Sequence, residues 1–158
     1  MTFNLHIVED NAIKAGGISS FFADKYSSSF STSVFGSFQS ALRALEEGNP
    51  DLIVLDMTLP TFDRKPNGRE GRMRPLGGYD LMHKMRHRSL RSKVIVVTQL
   101  ETFGEGDEQV SFAEITARCT RDFPDFFLGS VYYDQSGLNW QLNLAAFVQT
   151  FLNQKEKS

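Results

Sequence analysis

Residues 51–60 read DLIVLDMTLP, and this stretch decides the fold. Leu52, Ile53, Val54 and Leu55 form an unbroken apolar run with β-branched residues at its centre. It is too short for a helix and lacks the polar alternation of a half-buried strand. Such a run suits a strand covered on both faces, as in parallel sheets. Residues 94–97, VIVV, repeat the pattern, and residues 5–8 and 128–133 supply weaker versions. Each run stops at a polar side chain: Glu9 and Asp10 after the first, then Asp56, Thr98 and Asp134.

Amphipathic stretches separate these runs. Residues 11–26 place Ile13, Ile18, Phe21 and Phe22 on a helical face, and Ser37 is set to cap a helix through Ala41, Leu42 and Leu45 to Gly48. Residues 79–86 offer Leu81, Met82 and Met85, while Ser111 and Glu114 form a capping box before Phe112, Ile115 and Cys119. The last helix, residues 138–152, packs through Trp140, Leu144, Phe147, Val148 and Phe151. The weakest strand, residues 31–35, has few aliphatics and belongs at an edge. Strand and helix thus alternate through the chain, which predicts an α/β fold: a five-stranded parallel sheet, doubly wound, with right-handed crossovers.

Residues 1–158 read as a single domain with a basic insertion at 61–78, carrying Arg64, Lys65, Arg69, Arg72 and Arg74. Residues 101–108 are its acidic counterpart, with Glu101, Glu105, Asp107 and Glu108. Neighbouring third and fourth strands would set the two loops side by side, where they could pair as a lid. With 41% hydrophobic and 23% charged residues, 158 residues suffice for one core without cross-links. A single cysteine, Cys119, has no partner within the chain, which suits a reducing, cytoplasmic setting. No secretion signal opens the chain, and no apolar run approaches the roughly 18 residues of a membrane span, so no membrane is expected as a partner. A net charge of −2 argues against nucleic acid as well.

The chemistry follows from where the polar residues fall. In an open α/β sheet the ligand site lies beyond the carboxyl ends of the strands, where Glu9, Asp10, Asp56 and Thr98 stand. Three carboxylates brought together repel one another unless a divalent cation neutralises them. Magnesium, or manganese, takes one or two carboxylates and bridges to phosphate oxygens. Asp56 would then be free to attack phosphorus, with Thr98 donating its hydroxyl to a phosphoryl oxygen. Taken singly, strand-end acids are usually helix caps or solvated loop residues; their combination carries the reading.

VED at residues 8–10, DLIVLDMTLP at 51–60 and VIVVT at 94–98 together resemble the signatures of the response-regulator receiver domain of two-component systems, the CheY-like family. The resemblance runs from about residue 3 to 100 and more loosely to about 152. It implies a flavodoxin-like strand order 2-1-3-4-5. It further implies that Glu9, Asp10 and Asp56 hold Mg2+ with the carbonyl of Thr58, that Asp56 accepts the phosphoryl group, and that Thr98 is the switch hydroxyl. The function so implied is that of a stand-alone response regulator in a phosphorelay. It would be charged by a histidine kinase or phosphotransfer protein and would signal by contact with a downstream protein target. Self-phosphorylation from a small phosphodonor and slow autodephosphorylation would be its only enzymatic activities, and a homodimer is a further candidate assembly.

The sequence departs from the family at one place. Receivers carry a lysine at the end of the fifth strand, but no Lys or Arg lies between Arg121 and Lys155. Alignment through Gly129 puts Tyr133 at the lysine position and Ser130 at the usual switch aromatic, and a shift of one residue would put Asp134 at the lysine position instead; neither supplies a positive charge. One candidate replacement is Arg64 or Lys65 folding back from the basic insertion as a phosphate clamp. The rival function is a pseudo-receiver, a phosphorylation-independent protein-binding module docking through the aromatic last strand. A haloacid-dehalogenase type of enzyme wants a second Asp where Thr58 stands, and is disfavoured. His83 and His87 have the spacing of a helical metal pair but lie beside Lys84, Arg86 and Arg88, so solvation is the better reading, and His6 reads as a packed strand residue. Tyr132, Tyr133 and Trp140 fit either a core or a docking face.

Overall fold

The computed structural model describes residues 1–63 and 72–157. The main strands are β1 (Phe3–Val8), β2 (Phe30–Phe35), β3 (Leu52–Leu55), β6 (Lys93–Thr98) and β9 (Phe127–Tyr132). Between them run α1 (Ala12–Lys25), α2 (Phe38–Glu47), α3 (Gly77–His87) and α4 (Phe112–Asp122), and α5 (Asn139–Glu156) closes the chain. Two short ribbons complete it: β4 (Leu59–Pro60) with β5 (Met73–Arg74), and β7 (Thr102–Phe103) with β8 (Val110–Ser111).

The five main strands form one parallel sheet in the order β2-β1-β3-β6-β9, which is the expected 2-1-3-4-5. The weak strand, β2, is at the edge and mostly exposed, and the two apolar runs, β3 and β6, lie side by side near the middle. Alternate residues of the central strands feed two cores. Ile53, Leu55, Val94 and Val96 face α2, α3 and α4; Leu5, Ile7, Val54, Ile95 and Val97 face α1 and α5. This double covering is what a strand without polar alternation requires.

Both N-caps hold, but the reciprocal capping box forms at Ser37 and Ser40, whereas the Glu114 carboxylate accepts from the Ser111 hydroxyl and not from its backbone N–H. Ser37 Oγ accepts from Ser40 N–H at the start of α2, and Ser111 Oγ accepts from Glu114 N–H at the start of α4. The ribbons were not legible as strands. They open a cleft of about 510 Å3 between the basic and acidic segments, lined by Thr61, Arg74, Leu76, Phe103 and Glu108, so the two loops are indeed neighbours.

One helical face needs correction. Ile13 is 77% exposed, whereas Lys14 is fully buried. The core stripe of α1 is Lys14, Ala15, Ile18, Phe21 and Phe22, the spacing of a single helical face. A lysine therefore occupies a core position, and it points at the carboxyl ends of the strands.

Candidate phosphoryl-acceptor site

Backbone hydrogen bonds set the acidic residues in place. Glu9 N–H donates to Phe35 O and Asp56 N–H to Val8 O, so both residues leave the sheet in register at adjacent strand ends. Asp56 Oδ1 accepts from Met57 N–H at 2.8 Å. Behind it, Gly78 N–H donates to Met57 O at 2.8 Å, and a Cβ at Gly78 would stand 2.6 Å from Asp56 O. Only a glycine lets the start of α3 approach the acceptor loop so closely.

Asn11 ties the first helix to the same site. Its side-chain oxygen caps α1 by accepting from Ile13 and Lys14 N–H, both at 3.0 Å, and its own N–H donates to Glu9 Oε2 at 3.0 Å. The cap starts α1 directly beside the acid pocket and aims Lys14 inward. Lys14 Nζ lies 2.5 Å from Glu9 Oε1 and 3.4 Å from Asp56 Oδ1, and donates to Val97 O at 2.8 Å. Strand ends β1, β3 and β6 thus each contribute one partner to the ammonium. A lone ammonium in an apolar core would be too costly to keep charged; here two carboxylates and a carbonyl receive it.

Glu9, Asp10 and Asp56 form a group whose carboxylate oxygens lie within 4.8 Å of one another, the one such grouping among the described residues. Burial, followed by the charge of Asp56, pushes Glu9 up to about 8, against the opposing pull of Lys14. Burial also raises Asp56, again opposed by Lys14. In both groups burial outweighs the opposing ammonium. Glu9 Oε1 is in ionic contact with Lys14 but has no aligned hydrogen-bond donor. An all-oxygen, anionic donor set fits a hard divalent cation such as Mg2+. The side chains that would hold one are Glu9, Asp10 and Asp56. Asp56 keeps 11% of its side chain exposed, so its carboxylate is reachable.

The other anticipated residues fall as follows. Thr98 is buried at the end of β6, and its hydroxyl accepts from Leu100 N–H at 3.3 Å, the local turn that its position alone suggested. Thr58 lies two residues beyond Asp56, with its hydroxyl donating to Pro75 O at 2.9 Å. Tyr133 follows the last strand, its N–H donating to Thr98 O, and its buried ring lies 5.8 Å from Lys14 Nζ. Tyr133 also packs on Trp140 at 4.7 Å, so both are core; Tyr132 is 39% exposed. Ser130 Oγ is buried without a hydrogen-bond partner. Arg64 and Lys65, the candidate clamp, lie outside the described residues. His83 packs edge-on against Tyr79 and Phe123 beside Arg86, an arrangement of aromatic stacking. His6 packs against Phe35, and burial lowers its pKa.

Lys14 is the residue that the sequence reading missed. Its signal was available in the period: stepping four residues back from Ile18 along the buried stripe reaches residue 14 and not 13.

A parallel sheet in this order with an acid cluster at its carboxyl ends defines a receiver-type domain. The chain belongs to the response-regulator family. It is 33% identical over 140 residues to the Detocs response regulatory protein DtcB of Enterobacter cloacae (strain JD6301), spanning 87% of this chain and 93% of that protein. The fold is similar to the signal receiver domain of a LuxO repressor homologue from Vibrio parahaemolyticus, with a TM-score of 0.64, 15% identity and coverage of 100% of this chain and 98% of that one. It is also similar to a chain in the complex of the P1 domain of CheA3 with CheY6 from R. sphaeroides, with a TM-score of 0.61 and 21% identity over 96% and 97% of the two chains. A scan of family models finds no match. Among the described residues, no helix is long and apolar enough to cross a membrane.

Proposed function

We propose that the protein is a stand-alone phosphorelay receiver that takes a phosphoryl group onto Asp56 with Mg2+ and passes the signal on by protein contact. The observation carrying this reading is the reachable Asp56 carboxylate within a cluster of three acids at adjoining strand ends. In the transfer, an Asp56 oxygen forms a new P–O bond as the donor's P–N or acyl P–O bond breaks. The electron pair leaves with the donor's imidazole or carboxylate. A bound Mg2+ would offset charge on the transferred oxygens. Asn11 orients Glu9, Gly78 lets α3 brace the acceptor loop, and Thr98, at the end of β6, would donate its hydroxyl to a phosphoryl oxygen. Thr58 would add its carbonyl to the metal shell, and water attack on the same phosphorus would return the carboxylate slowly.

The complex of a kinase P1 domain with a receiver-fold chain supports a histidine kinase or phosphotransfer protein as the donor. The cytoplasm, where such donors are charged, is the proposed compartment, and neither nucleic acid nor membrane is proposed as a partner. Residues 1–158 are proposed to form a single receiver-like domain with a basic insertion at 61–78. The rival, a phosphorylation-independent binding module, draws on one observation, the Lys14 ion pair that already engages Asp56. Incubation with acetyl phosphate or phosphoramidate and Mg2+, followed by intact mass, decides between them. A labile phosphoryl increment in the wild type that is missing from Asp56→Asn supports the receiver; no increment with either donor supports the binding module.

A further inference from the structure

We infer that Lys14 is this protein's phosphoryl-binding cation, reaching the site from the first helix instead of the last strand. The inference rests on the reading of Asp56 as acceptor and concerns how that site stabilises its product.

Position supports it first. Lys14 Nζ touches Asp56 Oδ1, a carboxylate oxygen of the reacting group, and is anchored on Val97 O of β6 beside Thr98. It also lies over the ring of Tyr133, the residue that stands where a receiver's last-strand lysine would be. The aromatic ring cannot supply charge, but it closes the space that a strand-borne lysine would cross. Its hydroxyl fills the hollow over Gly17, where a Cβ would stand 2.7 Å away, so Tyr133 and α1 are packed to each other.

Direction supports it second. Lys14 is sealed from solvent, so it approaches the carboxylates from the protein side. Asp10 and Asp56 retain partial exposure to solvent. A divalent cation, which keeps several waters, belongs on the open side. Lys14 therefore does not stand in for the metal.

The exchange of partners is chemically balanced. Phosphorylation turns one Asp56 oxygen into an ester and brings phosphoryl oxygens bearing more negative charge. Mg2+ binding at Glu9 releases Nζ from its closest partner. The ammonium then has a phosphoryl oxygen to receive its hydrogen bond, while Val97 O holds the amine in place. No bond to nitrogen is made or broken.

The test uses the full chain with Mg2+ and two probes: acetyl phosphate, read by intact mass, and beryllofluoride, read by the fluorescence of Trp140, the one tryptophan, which stacks on Tyr133. Lys14→Met removes the charge, and Lys14→Gln keeps a donor for Val97 O should the apolar variant fold poorly. Measured well below its own melt, either variant is expected to bind beryllofluoride about tenfold more weakly or worse, and to lose its phosphoryl group faster. Lys14→Met combined with Tyr133→Lys is expected to recover part of the affinity by returning the charge to the last strand. If the wild type takes up phosphate and the Lys14 variants match it in rate, lifetime and beryllofluoride affinity, this inference is overturned while Asp56 stands as acceptor. If the wild type takes up neither probe, the acceptor reading falls and this inference with it.

Discussion

The first helix and the last strand meet at the same pocket with side chains the sequence would assign the other way round. The helix, whose core stripe should be apolar throughout, delivers an ammonium at Lys14; the strand end, where the family places a lysine, delivers the ring of Tyr133. The pair keeps one cation and one packed apolar surface beside the carboxylates. What the site requires is a charge at a point in space, and a helix abutting the sheet can supply it as well as a strand.

Substitutions on the two sides sharpen this contrast. Among changes at the pocket, Lys14→Met should lower stability most, since it strands Glu9 and Asp56 without the Lys14 ammonium, at a cost of about 3 kcal/mol in urea unfolding of the metal-free protein. Tyr133→Phe, which removes only the hydroxyl over Gly17, should cost far less. An equal loss in the two would mean that packing rather than charge holds the pocket. On the far side of the acceptor, Gly78→Ala should cost about 1–3 kcal/mol by pushing α3 away from Asp56 O, and should slow phosphoryl uptake.

Within the helix, Ile13→Ser should change stability by no more than about 0.5 kcal/mol, whereas Ile18→Ala should cost about 2–4 kcal/mol. A reversed order would contradict the assigned face. The acids add a pH signature. Glu9 titrates higher in the fold, at about 8, than in the unfolded chain, so the folded state binds the extra proton between these values. That contribution is whole below the unfolded carboxylate range and is lost as pH rises through about 8. Melting temperature of the metal-free protein should therefore fall from pH 6 to pH 8, and the rise produced by Mg2+ should be larger at pH 8. A metal-induced rise independent of pH would separate metal binding from Glu9.

The fold was legible because β3 and β6 are unbroken apolar runs, and nothing but a doubly covered sheet accommodates two of them. Asp56, Glu9 and Asp10 were legible because strand ends bring together residues that are far apart in sequence. Lys14 was not, because a charged side chain ordinarily marks an exposed helix position and Ile13 beside it is the more hydrophobic candidate for the core, although Ile18, Phe21 and Phe22 fix the phase of the helix. The ribbons β4/β5 and β7/β8 were missed for a different reason. Each pairs only two residues, too few for any period to show, and their partners are set by the loops they close.

The most direct test of the account is a crystal structure with Mn2+ and beryllofluoride, read by the anomalous signal of the metal. The account predicts a peak among Glu9, Asp10 and Asp56, beryllofluoride on Asp56, and Lys14 Nζ within hydrogen-bond distance of a fluorine. A pocket holding neither metal nor beryllofluoride, with Lys14 still bridging Glu9 and Asp56, would contradict it.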